Sequence, residues 1–172
     1  MLDEPSVAGK LSFNSGYLYL ESFNFDGKRN EGADVYFTKT FNPDLSVVLG
    51  NDVINELSFD IPQGVYSAID LDVLFPNNNF PNLVVTGYFI DKISSSIPVR
   101  FEYSETEVFT IAGEDFVGNN KNINLIENAD IKATIWINPS HWFNSVSENT
   151  LGNATLVTFD GQKTLLINNN TN

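Results

Sequence analysis

The sequence predicts an all-β fold, an antiparallel β-sandwich of the Ig-like or Greek-key type with one short helix near residues 139–146. Apolar and polar residues alternate with a period of two in many short segments, which is the pattern of half-buried strands. Clusters of Gly, Asn, Asp and Pro separate these segments and supply turn residues. The chain also contains 14 Phe and six Tyr but one Met, and aromatic side chains favour strands over helices.

The alternating segments are predicted to form about ten to twelve strands in a single domain, residues 1–172. A chain of this length can bury one sizeable core. Residues 1–8 and 168–172 are expected to be flexible ends. The predicted strands are, in chain order, 10–14, 16–25, 33–41, 56–61, 65–75, 82–90, 97–103, 107–111, 122–126, 130–137, 153–159 and 163–167.

Two hairpins are predicted from turn residues. Asp160-Gly161 stands between two apolar runs, and a type I′ turn needs positive φ at both of its central positions. A three-residue loop at 62–64, Pro-Gln-Gly, would pair Ile61 with Val65 and bring the apolar faces of both strands together.

That second register places Glu56 opposite Asp70 on the outer face, with Asp72 about 7 Å further along. Three carboxylates without a nearby base can hold Ca²⁺, which prefers oxygen ligands. The alternatives are a solvated acidic face and a glycosidase-type carboxylate pair. A rise in the unfolding temperature on adding millimolar calcium would support the metal site, and no rise would remove it.

Asn138-Pro139 predicts the start of the helix, because Asn caps helix ends and Pro fits the first turn. Ile137 and Trp142 would then form a hydrophobic staple, with Trp142 inserted into the core and His141 in solvent. His141 is the one histidine of the chain, and no Ser or Cys nucleophile partner is evident in the sequence. The segment is therefore predicted to be a lid on the core and no catalytic residue is assigned.

Trp136 is the candidate ligand-binding residue. In the predicted strand 130–137 it shares a face with Lys132 and Thr134, and a Trp on a polar face can be a platform for a sugar ring or a partner protein. The alternative is that the following helix or a neighbouring loop covers it.

Composition excludes several classes of function. The chain carries 22 acidic and nine basic residues, a formal charge of -13, so nucleic acid is not an expected partner. Cysteine is absent, so disulfides and thiol chemistry are excluded. No apolar run approaches the ~20 residues that cross a bilayer, so direct membrane insertion is not expected. Phosphate loops, dinucleotide fingerprints and nucleophile elbows are also missing.

Three segments in order, "IPQGVYSAIDLDVLF", "LVVTGYF" and "ATIWINPSHWFNSV", resemble the β-sandwich domains of uncharacterised Bacteroidota cell-envelope lipoproteins. The resemblance covers about residues 55–160. It implies an extracytoplasmic protein held by a lipid anchor whose leader and lipidated Cys lie outside this chain. It carries no catalytic residue to any position.

The expected function is therefore a non-enzymatic binding or structural module of the cell envelope, with a glycan or protein partner. No cofactor is expected, apart from the possible Ca²⁺. Two alternatives stay open. One is a carboxylate-dependent glycan hydrolase using Glu56, Asp70 or Asp72. The other is a pilus- or adhesin-type subunit that accepts a donor strand at a sheet edge.

Overall fold

The computed structural model describes residues 10–50, 60–91, 93, 95–115, 122–127, 133–135, 137–144 and 146–168. This part of the chain is mostly β, with little helix. The strands and helices are β1 (Leu11–Arg29), β2 (Val35–Gly50), β3 (Gly64–Leu74), β4 (Leu83–Ile90), β5 (Ser96–Tyr103), β6 (Val108–Ala112), β7 (Ile123–Leu125), α1 (Pro139–Trp142), α2 (Glu148–Gly152), β8 (Leu156–Phe159) and β9 (Gln162–Asn168).

Within the described residues nine strands form one sheet in the order β6-β3-β1-β4-β5-β9-β8, with β2 paired to β1 and β7 paired to β3. The sheet curls into a half-barrel. The prediction of a β-rich fold is confirmed, but the wholly antiparallel arrangement is wrong at one pair, because β5 and β9 are parallel. Residues 104–161 separate these two strands along the chain, so this pairing could not be read from a hairpin turn.

The long strand β1 organises the sheet. On one side it pairs with β2, and on the other side it pairs first with β4, over residues 11–18, and then with β3, over residues 22–29. Its pairing shifts register at Asn14 and at Glu21. Such bulges bend a strand and reverse which of its side chains face the core. The change of partner from β4 to β3 midway along β1 accounts for the curl of the sheet.

The core lies on the inner face of the curled sheet. Phe25 is at its centre, stacked on Phe37 with ring centroids 5.1 Å apart and edge-on to Tyr66 at 6.1 Å. The buried cluster consists of Leu11, Phe13, Leu18, Phe23, Phe25, Tyr66, Ile69, Val73, Phe75, Leu83, Val85, Phe89, Val99, Leu125, Phe143, Leu151 and Leu165. Phe, Leu and β-branched side chains fill this face, and those within a strand come mostly from alternate positions, as the alternation predicts.

One face assignment is wrong because of a bulge in β3. Simple alternation puts Val65 inside and Tyr66 outside, but Tyr66 is 0% exposed and Val65 is 40% exposed. The register between β1 and β3 shifts at Ser67, so Tyr66 turns inward over Gly27, where an added Cβ would lie 2.6 Å from its ring. The Tyr66 hydroxyl donates to the Pro62 carbonyl at 2.6 Å. Burial raises the pKa of this phenol, and the nearby Arg29 lowers it by less.

The predicted pairing across the loop at 62–64 is also wrong at its first pair. Val65 pairs with Asn124 of β7, and Ile61 lies outside the strands. Residues 56–59 lie outside the described part of the chain.

Within the described residues, α1 and α2 stand where the sequence predicted one helix. α1 begins at Pro139, as expected, but Phe143 is the inserted residue, 6% exposed, whereas Trp142 is 48% exposed. Phe143 packs on Phe13 and Phe101, with centroids 5.6 and 5.4 Å away, while Trp142 touches Phe101 from the solvent side. α2 was not predicted. Its N-cap is Ser147, whose Oγ accepts from the Thr150 N–H at 3.2 Å, a common way for a helix to start.

The predicted strand at 130–137 is wrong over the residues described there. Residues 133–135 form no strand, and Ala133, Thr134 and Ile135 are all exposed. Three consecutive exposed side chains do not fit a strand with one face on the core. Neither helix in the described part of the chain has the length and apolar character that crossing a bilayer requires.

The predicted hairpin turn at Asp160-Gly161 is confirmed. It joins β8 to β9, which pair from Phe159 and Gln162 outward, and φ is +47° at Asp160 and +78° at Gly161. We expect Gly161→Ala to lower the free energy of unfolding by about 1 kcal/mol, since a Cβ is disfavoured at positive φ. Gly161→Asn should cost less because Asn tolerates this conformation. Urea denaturation measures both, and equal stability of wild type and Gly161→Ala would contradict the assigned turn.

Candidate functional site

The candidate site lies on the outer face of the sheet, where β1, β4 and β5 run side by side. The register aligns Ser15 with Thr86 and Thr86 with Arg100. Two residues further along each strand, the register aligns Tyr17 with Val84 and Val84 with Glu102. Val84 is 1% exposed although it is on the outer face, so the side chains around it shield it from solvent. The side chains on the outer face around Val84 are therefore packed against one another.

Three aromatic rings form a continuous chain at one end of this face. The Tyr17 and Tyr19 rings have centroids 5.5 Å apart, and those of Tyr19 and Phe80 are 5.1 Å apart, both edge to face. Tyr17 and Tyr19 are half-buried, while Phe80 is 48% exposed. Edge-to-face packing holds the rings in fixed orientations, so the chain presents a rigid apolar surface.

Phe80 comes from the loop between β3 and β4, and Asn82 holds that loop in place. The Asn82 side chain is fully buried. Its Nδ2 donates to the carbonyls of Pro76, at 2.7 Å, and Glu105, at 3.2 Å. Its backbone carbonyl accepts from the Tyr19 N–H at 2.8 Å. The backbone carbonyl of Asn82 thus ties the loop to β1, and its side-chain amide ties it to the segment after β5, since a buried amide needs such partners.

Arg100 and Glu102 lie beside the rings, two residues apart on β5 and therefore on one face. Arg100 Nε is 2.5 Å from Glu102 Oε1, and both side chains are largely buried, with exposed fractions of 22% and 16%. The guanidinium also lies over the Phe159 ring, 4.9 Å from its centroid, in a cation–π contact. Burial lowers the pKa of Arg100, but its hydrogen bonds to Glu102 and Tyr17 raise it by more, so the net pKa lies above the ordinary value.

We call this set of side chains the outer platform. It consists of Tyr17, Tyr19, Phe80, Arg100, Glu102 and Phe159. Next to it the hydroxyls of Ser15 and Thr86 lie 2.7 Å apart. The site therefore combines apolar ring faces, hydroxyl groups and one ion pair whose two charges cancel.

Two of the three predicted metal ligands, Asp70 and Asp72, lie on β3 between β1 and β6. Asp70 has Asp26 on one side and Ala112 on the other, and Asp72 pairs with Asn24 and Thr110. Thr110 Oγ1 donates to Asp72 Oδ1 at 2.6 Å. Among the described residues no group of three or more His, Cys, Asp or Glu side chains is placed to hold a metal ion. Glu56 lies outside these residues, so the calcium site stays a prediction.

Trp136, the predicted ligand-binding residue, also lies outside the described residues. The outer platform itself was not predicted. A partial signal was present, because "GYLYL" and "VRFEY" each put two of its side chains on one face of a strand. Nothing local indicates that these two segments lie on the same face of one sheet, since β4 stands between their strands.

Comparison with known proteins found no match among family models, curated proteins or solved structures. Function is therefore inferred from the outer platform and from the sequence.

Proposed function

We propose that this protein is a non-enzymatic binding module of a cell envelope and that it holds a glycan on the outer platform. The observation that carries the proposal is the chain of three packed rings beside a compensated Arg–Glu pair on the outer face. A glycan presents apolar C–H faces and a rim of hydroxyls. Aromatic rings can pack on the C–H faces, and fixed donors and acceptors such as Arg100 and Glu102 can hydrogen-bond the hydroxyls.

The site supports binding rather than catalysis. The carboxylate of Glu102 is already engaged by Arg100, so it is poorly placed to act as a general acid or base. The rings are held by packing against one another, and preorganised aromatic surfaces bind with little loss of side-chain freedom.

The test is binding of the whole chain to a panel of soluble polysaccharides, followed by calorimetry on those retained. We expect Tyr19→Ala and Phe80→Ala each to weaken binding by at least about tenfold, which corresponds to about 1.4 kcal/mol. The matched control is Tyr36→Ala. Tyr36 is 67% exposed and pairs with Asp26 on the other half of β1, so its loss should leave binding unchanged.

Each result decides between named sites. Loss of binding with Trp136→Ala but not with Tyr19→Ala would move the site to Trp136. Absence of binding across the panel would contradict the proposed function. A melting curve for each variant separates a lost contact from a lost fold.

Location and anchoring belong to the same proposal. The resemblance to Bacteroidota envelope lipoproteins supports an extracytoplasmic protein with a lipid anchor outside this chain. The net charge of -13 supports the absence of a nucleic-acid partner. Detection of the protein in the soluble cytoplasmic fraction of its source cells, with none in the envelope fraction, would contradict it.

We also propose that the fold is completed as a sandwich. A curled sheet has one apolar inner face, and such a face is buried by a second layer. A crystal structure of the whole chain without a second layer across the inner face would contradict this.

A further inference from the structure

We propose that the outer platform selects uncharged glycans and rejects polyanionic ones, because Glu102 neutralises Arg100. This inference rests on the proposed function and adds the chemical class of its ligand. An Arg on a binding surface ordinarily attracts carboxylate or sulfate groups through paired hydrogen bonds. In the outer platform the ion pair with Glu102 prevents Arg100 from attracting such groups.

The first step is the ion pair itself. Arg100 Nε lies 2.5 Å from Glu102 Oε1, so a ligand carboxylate would have to displace one that is already in place. Glu102 is bound to the same strand two residues away, so its effective concentration is far above that of any free anion. The platform thus offers Arg100 as a fixed hydrogen-bond donor with its charge cancelled.

The second step is the burial of the pair. With 22% and 16% of the two side chains exposed, rotating Glu102 away would leave a partly desolvated guanidinium, which is costly. The Phe159 ring, 4.9 Å from the guanidinium, covers it further. The pair is therefore expected to persist when a ligand binds.

The third step is the surroundings. Beside the platform, Ser15 and Thr86 carry hydroxyls and Asn168, aligned with Glu102, carries an amide; these groups have no charge and match the hydroxyl rim of a neutral sugar. The chain as a whole carries -13, which repels a polyanion at low salt. Local and overall charge therefore act in the same direction.

The test uses polysaccharide pairs that share a backbone and differ in charge. The probes are hydroxyethyl cellulose against carboxymethyl cellulose, and methyl-esterified against de-esterified homogalacturonan. We expect the whole chain to bind the uncharged member of a pair at least about tenfold more tightly at low salt. The difference should shrink as salt is raised, since salt screens the repulsion.

Glu102→Gln supplies a gain of function. Removing the carboxylate unmasks Arg100, so this variant should bind the anionic member at least about tenfold more tightly than wild type, in a salt-sensitive way. The matched control is Glu31→Gln, at an exposed position in the turn between β1 and β2. It changes the net charge equally and should leave the preference unchanged.

The outcomes are distinguishable. If wild type binds the anionic member more tightly, the inference is overturned while the proposed function stands. If Glu31→Gln and Glu102→Gln shift the preference equally, net charge rather than the ion pair is responsible and the inference is again overturned. If neither pair nor any neutral polysaccharide of the panel binds, the proposed function fails. The wild-type comparison decides the matter even if Glu102→Gln does not fold.

Discussion

Gly87→Ala is expected to destabilise the protein by about 3 kcal/mol. A Cβ at Gly87 would lie 1.8 Å from the Ser12 carbonyl oxygen and 2.7 Å from Phe13 Cα, so only a shift of the backbone could accommodate it. Gly87 pairs with Phe13 of β1, next to the register shift at Asn14, so the two backbones are close together at this point. Thermal unfolding measures the effect, and the midpoint should fall by roughly 6–12 °C for a chain of this size.

The control is Gly152→Ala. No atom lies within 4 Å of a Cβ added there, and Ala suits a helix better than Gly. We expect its stability to equal or slightly exceed that of wild type. If Gly87→Ala were as stable as Gly152→Ala, β1 and β4 could not approach as closely as described.

Asn82→Asp is expected to cost about 3–5 kcal/mol at pH 7, although the two side chains have nearly the same shape. The substitution replaces the donor Nδ2 with a carboxylate oxygen that faces the carbonyls of Pro76 and Glu105. The buried charge would then face two acceptors, and the one side-chain donor to Asn82 Oδ1, Asn78 Nδ2 at 3.3 Å, offsets only part of that cost. Because Asn82 holds the loop that carries Phe80, any glycan binding should weaken as well.

The pH dependence of the stability loss shows whether the buried charge of Asn82→Asp causes it. Burial and the two facing carbonyls raise the pKa of the introduced carboxyl in the folded state above its unfolded value of about 3.9. The loss of stability is therefore small below the unfolded pKa, where the group is protonated in both states, and grows as the pH rises toward the folded pKa. Urea unfolding at pH 4 and pH 7, with wild type measured beside the variant, gives this difference.

Asn77→Asp is the matched control, since it makes the same change at an exposed position of the same loop. We expect it to change stability by no more than about 0.5 kcal/mol at either pH. A pH-independent deficit for Asn82→Asp would contradict the proposed role of its Nδ2.

The fold was predictable where the signal is local. Alternation located most of the strands described, including β3, β4, β5 and β6, and the Asp-Gly pair located the β8–β9 turn. Alternation predicted the wrong inward-facing residue where a bulge shifts which side chains of a strand face the core. Ser67 exchanges Val65 for Tyr66 on the inner face, and no residue type marks that bulge in advance.

The candidate site was much less predictable. Glu56 and Trp136, which were chosen because they stood out individually, lie outside the described residues, and Asp70 lies between Asp26 and Ala112. The outer platform is built instead from ordinary Tyr, Phe, Arg and Glu side chains. Their proximity appears only when the fold brings Tyr17, Phe80 and Arg100 onto one face.

The amino-acid sequence alone determined that the chain is a β protein, where most described strands run, and how the last hairpin turns, because periodicity and positive φ are properties of neighbouring residues. The tertiary structure decided which strands lie side by side, where the bulges fall and which side chains meet on the outer face. Ser15 and Thr86 are 71 residues apart and share a hydrogen bond. Contacts of that separation depend on how the whole sheet closes over its core, and no short stretch of sequence specifies them.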